Sequence, residues 1–353
     1  MTNSNTYIGY IGTYTTGNSE GIYCFTLDTE QRKITDVKPV ARLDNPTYVA
    51  ISKNSQFLYS VAKEGILGGV SSFKINSVTG ELVKQSEQLS EGSSPCHVSV
   101  NSTNDLVVTA HYHRGTVEAY QVDSDRRLTS PVSVVQHEGS SVDKERQEKP
   151  HVHYSGFTPD EKYIIVVDLG IDKVITYDVK DGVLKEVASL AVKPGSGPRH
   201  LTFHPSGKFA YIMTELSSEV IVVTYNPTNG SFTEVQTIST IPSTFTENNQ
   251  GSAIHISSDG KYVYAGNRGH NSIASFRVDQ ETGLLSFMEH TSTEGDWPRD
   301  FILDPSETFL VASNQNSSNL VLFSRDISSG TLELLQADIQ VPNPVCVTFL
   351  NYK

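Results

Sequence analysis

One unit recurs along this chain, and it limits the fold more than any other feature. The unit is a short apolar segment, a tight turn, a second apolar segment, a polar turn, a third apolar segment, then a glycine-containing turn into a more polar fourth segment. It is clearest in PRHLTFHPSGKFAYIMTELSSEVIVVTYN from Pro198, returns in SAIHISSDGKYVYAGNRGHNSIASFRV from Ser252 and PRDFILDPSETFLVASNQNSSNLVLFSRD from Pro298, and has weaker copies from Pro46, Pro95 and Pro150. Successive starts lie about 46–55 residues apart, and apolar runs such as YIIVV from Tyr163 are strand length. Helical periodicity is almost absent. Four short strands in a repeat of this length make a β-propeller blade. The C-terminal run PVCVTFLNYK from Pro344 supplies only the first strand of a unit, while TYIGYIGTY, GIYCFTLD and ITDVKPVARL near the start supply three more. Joining them completes a seventh blade and removes an open sheet edge. The expected fold is all-β: a seven-bladed β-propeller whose ring is closed by the C-terminal strand joining the N-terminal blade, one domain over residues 1–353.

Composition narrows the partners. A chain of 353 residues with 37% hydrophobic content and no biased tract can bury a large core. Its formal charge of −13 disfavours a general nucleic-acid or anionic-membrane surface, because phosphate contacts need basic patches. No stretch approaches the roughly 18 apolar residues of a membrane helix, and MTNSNTYIGY lacks the basic start and apolar run of a secretory signal. Cys24, Cys96 and Cys346 are far apart, odd in number and without metal spacing, as in a reducing compartment. The expectation is a cytoplasmic protein, monomeric or weakly dimeric, with neither nucleic acid nor membrane as partner.

Blade topology then groups the unusual polar residues. In a four-stranded meander the first strand lines the central channel and successive strands alternate direction, so the start of the first strand and the end of the second open on one face. Aligning the repeats puts Thr47, Cys96, His153, Arg199, Ser252, Arg299 and Val345 at the first position. Lys63, Tyr112, Leu169, Glu215, Arg268 and Gln315 occupy the second. Ionisable groups therefore gather on one arc, opposite Thr47 and Val345. An interblade Arg–Glu ion pair is the plain structural explanation; several basic groups against one nearby glutamate favour a site. Arginines suit carboxylate, phosphate or a developing oxyanion. His153 is the natural proton-transfer group, with Glu215 to orient or assist it. No serine sits in a nucleophile-elbow setting. HVH at His151 to His153 shows no carboxylate partners at ligand spacing, which speaks against a zinc site. HYH at His111 to His113 reads as surface residues, and His204 in HPSGK as part of a hairpin turn.

Five motifs in order, YIGTYT, PHVHYSGFTPDEKYIIVVDLGIDKVITYDV, GPRHLTFHPSGKFAYIMTELSSEV, YVYAGNRGHNSIASF and WPRDFILDPSETFLVASNQ, resemble the seven-bladed lactonase family over almost the whole chain. That family includes propeller-type 6-phosphogluconolactonases and carboxymuconate-lactonizing enzymes. The resemblance implies a metal-independent lactone hydrolase without cofactor, acting on a small anionic sugar lactone. It places catalytic residues at His153, Arg199, Glu215 and Arg268, with Arg299 and His200 assigned to substrate binding. The acidic and amide ligand pattern of calcium-binding propeller lactonases is missing. The expected reaction is hydrolysis of 6-phosphoglucono-1,5-lactone to 6-phosphogluconate; the alternatives are lactone formation or opening on a muconate-like carboxylate, or a non-catalytic binding propeller. Only Trp297 hints at the exposed aromatic patch that last reading needs. Two long connections, Gln136 to Pro150 and Ser239 to Gly251, enter innermost strands at the same mouth as possible lids. The first carries Lys144, Arg146 and Lys149, which would help attract an anionic sugar.

Overall fold

The computed structural model describes residues 5–350; residues 1–4, and the last three residues of the PVCVTFLNYK run, lie outside the described residues. Among the described residues there is no helix, and so none long and apolar enough to cross a membrane. All the regular structure is in seven four-stranded antiparallel sheets, each a meander of sequence-adjacent strands except one. These are the blades of a seven-bladed β-propeller. The exception is the sheet in which Pro344–Phe349 pairs with Thr6–Thr13, followed by Gly21–Asp28 and Lys33–Arg42. The C-terminal strand thus completes the N-terminal blade, as the truncated last repeat demands.

The blade from Pro198 shows how the repeat becomes structure. Its strands are Pro198–Phe203, Phe209–Thr214, Glu219–Asn226 and Ser231–Ser239. The second strand is buried at every position, the fourth mostly exposed, which is why apolar content falls along each repeat. The turn HPSGK closes on itself: the His204 amide donates to Phe209 O at 2.9 Å, and His204 Nδ1 takes the Ser206 amide at 3.1 Å. Gly207 has φ 68°, yet a Cβ there would meet nothing within 4 Å. Only the backbone angle is special, and Ser55, Glu161 and Glu307 tolerate it in the corresponding turns of other blades.

The chain forms two compact units. One runs up to Val107 and includes Gln121–Ser130 and everything from Thr293; the other comprises Val108–Tyr120 and Pro131–Ser292. In the first, apolar side chains from neighbouring blades interdigitate in clusters such as Phe25, Leu27, Val311, Leu322 and Phe349. In the second, Ile165, Val167, Ile212 and Val223 form one interblade layer and Met213, Val222, Val263 and Phe276 the next. Burial of such side chains stabilises by about 1.5–3 kcal/mol each.

A β-bulge marks the start of several first strands. Val152 pairs with Asp168 and Tyr154 with Val167, leaving His153 as the extra residue. Arg199 is extra between Pro198 and His200, and Arg299 between Pro298 and Asp300. Register also slips between Gly251 and Ile254, and the pairing of Thr13 with Pro344 and Gly12 with Cys346 leaves Val345 unpaired in the ladder. A bulge bends its strand and re-aims the extra side chain.

Candidate active site

The second unit brings four ionisable side chains together on Glu215. Glu215 follows directly on the strand Phe209–Thr214, and its backbone is gripped from both sides: its amide donates to Gly197 O at 2.7 Å, and its carbonyl accepts from the Gly251 amide at 3.0 Å. Both partners have reason to be glycine. Gly197 has φ 60° and a Cβ there would sit 2.5 Å from Leu216 Cγ; at Gly251 it would sit 2.1 Å from Thr214 O. The local sequence is small where the chains must approach and charged where the site begins.

Three guanidiniums converge on this carboxylate. Arg199, aimed by its bulge, donates from Nε to Glu215 Oε2 at 3.1 Å and from Nη1 to Ser252 O at 2.7 Å. Arg268, the last residue of Tyr262–Arg268, donates from Nη2 to Glu215 Oε2 and to Gly251 O, both at 2.7 Å. Arg146, from the connection before Pro150, donates from Nη2 to Glu215 Oε1 and hydrogen-bonds the Tyr112 side chain. Burial alone would push the Glu215 carboxyl up. The charges of Arg268, Arg199 and Arg146, with the neighbouring His153 adding to them when protonated, outweigh that and hold it well below the usual carboxylate range. Glu215 is an ionised carboxylate at neutral pH. Arg146 is in turn held above its ordinary value: burial opposes this, but the Glu215 charge and Tyr112 prevail.

His153 lies beside this cluster among aromatic rings. Its centroid is 5.2 Å from that of His200 and 5.8 Å from that of Tyr112, both edge-on. His200 is buried, with Tyr154 on another side at 5.8 Å. Tyr112 is stacked on His151 at 4.2 Å, and His151 accounts for its own nitrogens: Nδ1 meets Tyr112 O and Nε2 meets Glu148 Oε2, each at 3.0 Å. Glu148 is the carboxylate partner that spacing did not reveal, and it makes His151 a brace for Tyr112. Among the described residues no three His, Cys, Asp or Glu side chains are grouped to hold a metal ion.

The structure thus brings together His153, Arg199, Glu215, Arg268 and His200. Arg299 belongs to the first unit, where Nη1 donates to Gln315 Oε1 at 3.3 Å and the guanidinium lies over the Tyr14 ring at 5.4 Å. The reading of HYH as surface residues needs correction. His113 is exposed, but His111 is fully buried, 3.0 Å from Thr109 Oγ1 and 3.5 Å from Glu118 Oε1. Its strand, Leu106–His111, is buried along its whole length, so no alternation marks an outer face.

Arg146 and Tyr112 join the cluster beyond the residues the sequence assigns to catalysis or substrate binding. Arg146 was one cation among three in a charged connection; the structure separates them. Lys144 reaches Ser141 O at 3.5 Å and Lys149 reaches His113 O at 3.1 Å, both exposed. The connection itself is built. Asp143 Oδ1 accepts the amides of Glu145 and Arg146 at 2.9 and 3.0 Å, and the buried Gln147 donates from Nε2 to Leu169 O at 2.9 Å. Asp172 joins it to the approach to Arg199, accepting from Ser141 Oγ at 2.5 Å and from the Gly195 and Gly197 amides at 2.7 Å. Such partners fix a loop's direction at the cost of little mobility.

The blades of the second unit thus hold three arginines, a glutamate and a histidine in one cluster. The family model "Lactonase, 7-bladed beta-propeller" matches residues 8–349. The chain therefore belongs to the seven-bladed β-propeller lactonase family. It is 56% identical over 345 residues to the 6-phosphogluconolactonase of Bacillus subtilis, covering 98% of this chain and 99% of the relative. Among solved structures, a Lactobacillus plantarum protein superposes with TM-score 0.94 at 42% identity, covering 98% of this chain and 99% of the other. The periplasmic gluconolactonase of Pseudomonas aeruginosa superposes with TM-score 0.92 at 32% identity, with the same coverage.

Proposed function

We propose that this protein is a 6-phosphogluconolactonase, opening 6-phosphoglucono-1,5-lactone by water without a metal. The observation that carries the reading is the charge of the cluster: three guanidiniums face one carboxylate, a surplus of two positive charges before His153 is counted. A chain with formal charge −13 that concentrates positive charge in one largely buried cluster is suited to receive an anion. Relatives named for 6-phosphogluconolactone and gluconolactone hydrolysis supply the class of lactone.

In this reading water adds to the C1 carbonyl carbon while His153 accepts its proton. Arg199 and Arg268, already immobilised on Glu215 and on the Ser252 and Gly251 carbonyls, stabilise the developing oxyanion without reorganising. The ring C–O bond then breaks, and His153 returns the proton to the departing ring oxygen. The water oxygen ends in the new carboxyl group, whose proton is lost to solvent. Glu215, ionised and already bonded to arginine, is a poor proton acceptor; it orders the guanidiniums and stabilises the imidazolium. His200 positions substrate beside His153. We read residues 1–353 as one propeller domain, and the free thiols Cys24, Cys96 and Cys346 fit a cytoplasmic protein.

The test is hydrolysis of freshly generated 6-phosphoglucono-1,5-lactone, corrected for spontaneous opening, with and without chelator, and with a muconate-type lactone in parallel. Chelator-insensitive acceleration of the sugar lactone supports the reading. Acceleration of the muconate-type lactone alone transfers the site to carboxylated substrates.

A further inference from the structure

We propose that Arg146 is the specificity residue of this site: it exchanges Glu215 for the phosphate of the incoming lactone, while Arg199 and Arg268 stay in place. The inference rests on the lactonase reading above and assigns a group within it. The three arginines are not equivalent. Arg199 and Arg268 have side chains 3% and 4% exposed, come from blade strands, and each spans Glu215 and a backbone carbonyl. Moving either would take a guanidinium donor away from a buried backbone carbonyl as well as from Glu215. Arg146 has a side chain 33% exposed, comes from an interblade connection, and reaches Glu215 Oε1. Its second partner is the Tyr112 side chain rather than a backbone carbonyl. It is the one guanidinium of the three that can turn to a ligand at low cost, and Glu215 keeps two arginines when it does.

The chemistry of the exchange fits a phosphomonoester. A phosphate near neutral pH carries about −1.5 to −2 charges, which matches the surplus left when three guanidiniums face one carboxylate. A planar guanidinium binds such an oxyanion through two parallel N–H donors, a geometry an ammonium lacks. The turn made by Asp143 fixes where Arg146 leaves the backbone, and Asp172 ties the same connection to the approach to Arg199, so the phosphate grip and the reacting centre share one frame.

The experiment compares the wild type, Arg146→Ala and Arg146→Lys on 6-phosphoglucono-1,5-lactone and on glucono-1,5-lactone, with calorimetric titration of inorganic phosphate into each. The expected result for Arg146→Ala is a fall of about 10- to 100-fold in the ratio of kcat/KM between phosphorylated and unphosphorylated lactone, carried by KM. Weakened binding of inorganic phosphate should accompany it, and Arg146→Lys should restore only part of both. An equal loss on both lactones, or phosphate binding unchanged by Arg146→Ala, overturns the proposal and leaves Arg146 as a clamp on Glu215. If the wild type accelerates neither lactone, the lactonase reading fails, and the phosphate titration still decides whether Arg146 holds the anion.

Discussion

The same backbone device serves different ends in the two units. In the second unit the bulged first-strand position presents His153 and Arg199; in the first it presents Arg299 and, at the sheet closed by the C-terminal strand, Val345. Arg199 meets a carboxylate, whereas Val345 is a buried apolar side chain and Arg299 rests on Gln315 and Tyr14. The bulge therefore belongs to the blade, and chemistry is added to it by side-chain choice. Fold alone does not make such a site; convergence on Glu215 does.

If that contrast is right, substitutions at equivalent positions should differ in kind. The largest effect is expected at Glu215. Glu215→Gln leaves three guanidiniums around a neutral amide and should cost about 3–5 kcal/mol of stability at pH 7, along with most activity. Because the folded carboxyl is held below its unfolded value of about 4.3, its contribution is present above that pH and is lost as pH falls through the folded value. Denaturation of both proteins from pH 7 to pH 3 should show their stability difference narrowing in acid; a constant difference would mean that the carboxylate charge is not what holds the cluster.

Next come the two bulge residues of the site. His153→Ala should lower kcat about 10²- to 10⁴-fold and Arg199→Ala about 10²- to 10³-fold, measured at saturating lactone on variants shown to be folded. In the first unit, Arg299→Ala loses the hydrogen bond to Gln315 and the contact with the Tyr14 ring and should cost about 0.5–1.5 kcal/mol of stability, seen in thermal melts. The smallest kinetic effect belongs to Val345→Ala: about 1–3 kcal/mol of stability from lost packing, seen in thermal melts, with kinetics unaltered. A kinetic defect at Val345 comparable with that at Arg199 would erase the distinction between the two units.

Much of the fold was legible because each blade repeats its turn chemistry. HPSGK, SSDGK and DPSET all close the first hairpin with a side chain that captures a nearby amide, as Asp304 Oδ1 does with Phe309 N at 2.7 Å. Alignment on that hairpin also placed Arg199, Glu215 and Arg268 at one end of their strands. The bulges were not legible: an extra residue in PRH or VHY leaves the run of apolar residues after it looking like any strand. Arg146's contact with Glu215 was not legible either, because the long connection before Pro150 shares no repeated pattern with the other connections and alignment cannot position it. His111 was misread for a related reason, since a strand buried on both faces gives no period-two signal.

The most direct test of the central claim is steady-state hydrolysis of 6-phosphoglucono-1,5-lactone by chelator-treated wild type, His153→Ala and Arg199→Ala, above the spontaneous rate. The account predicts strong acceleration by the wild type, insensitive to chelator and nearly abolished in both variants. Full activity in either folded variant, or none in the wild type, would contradict it.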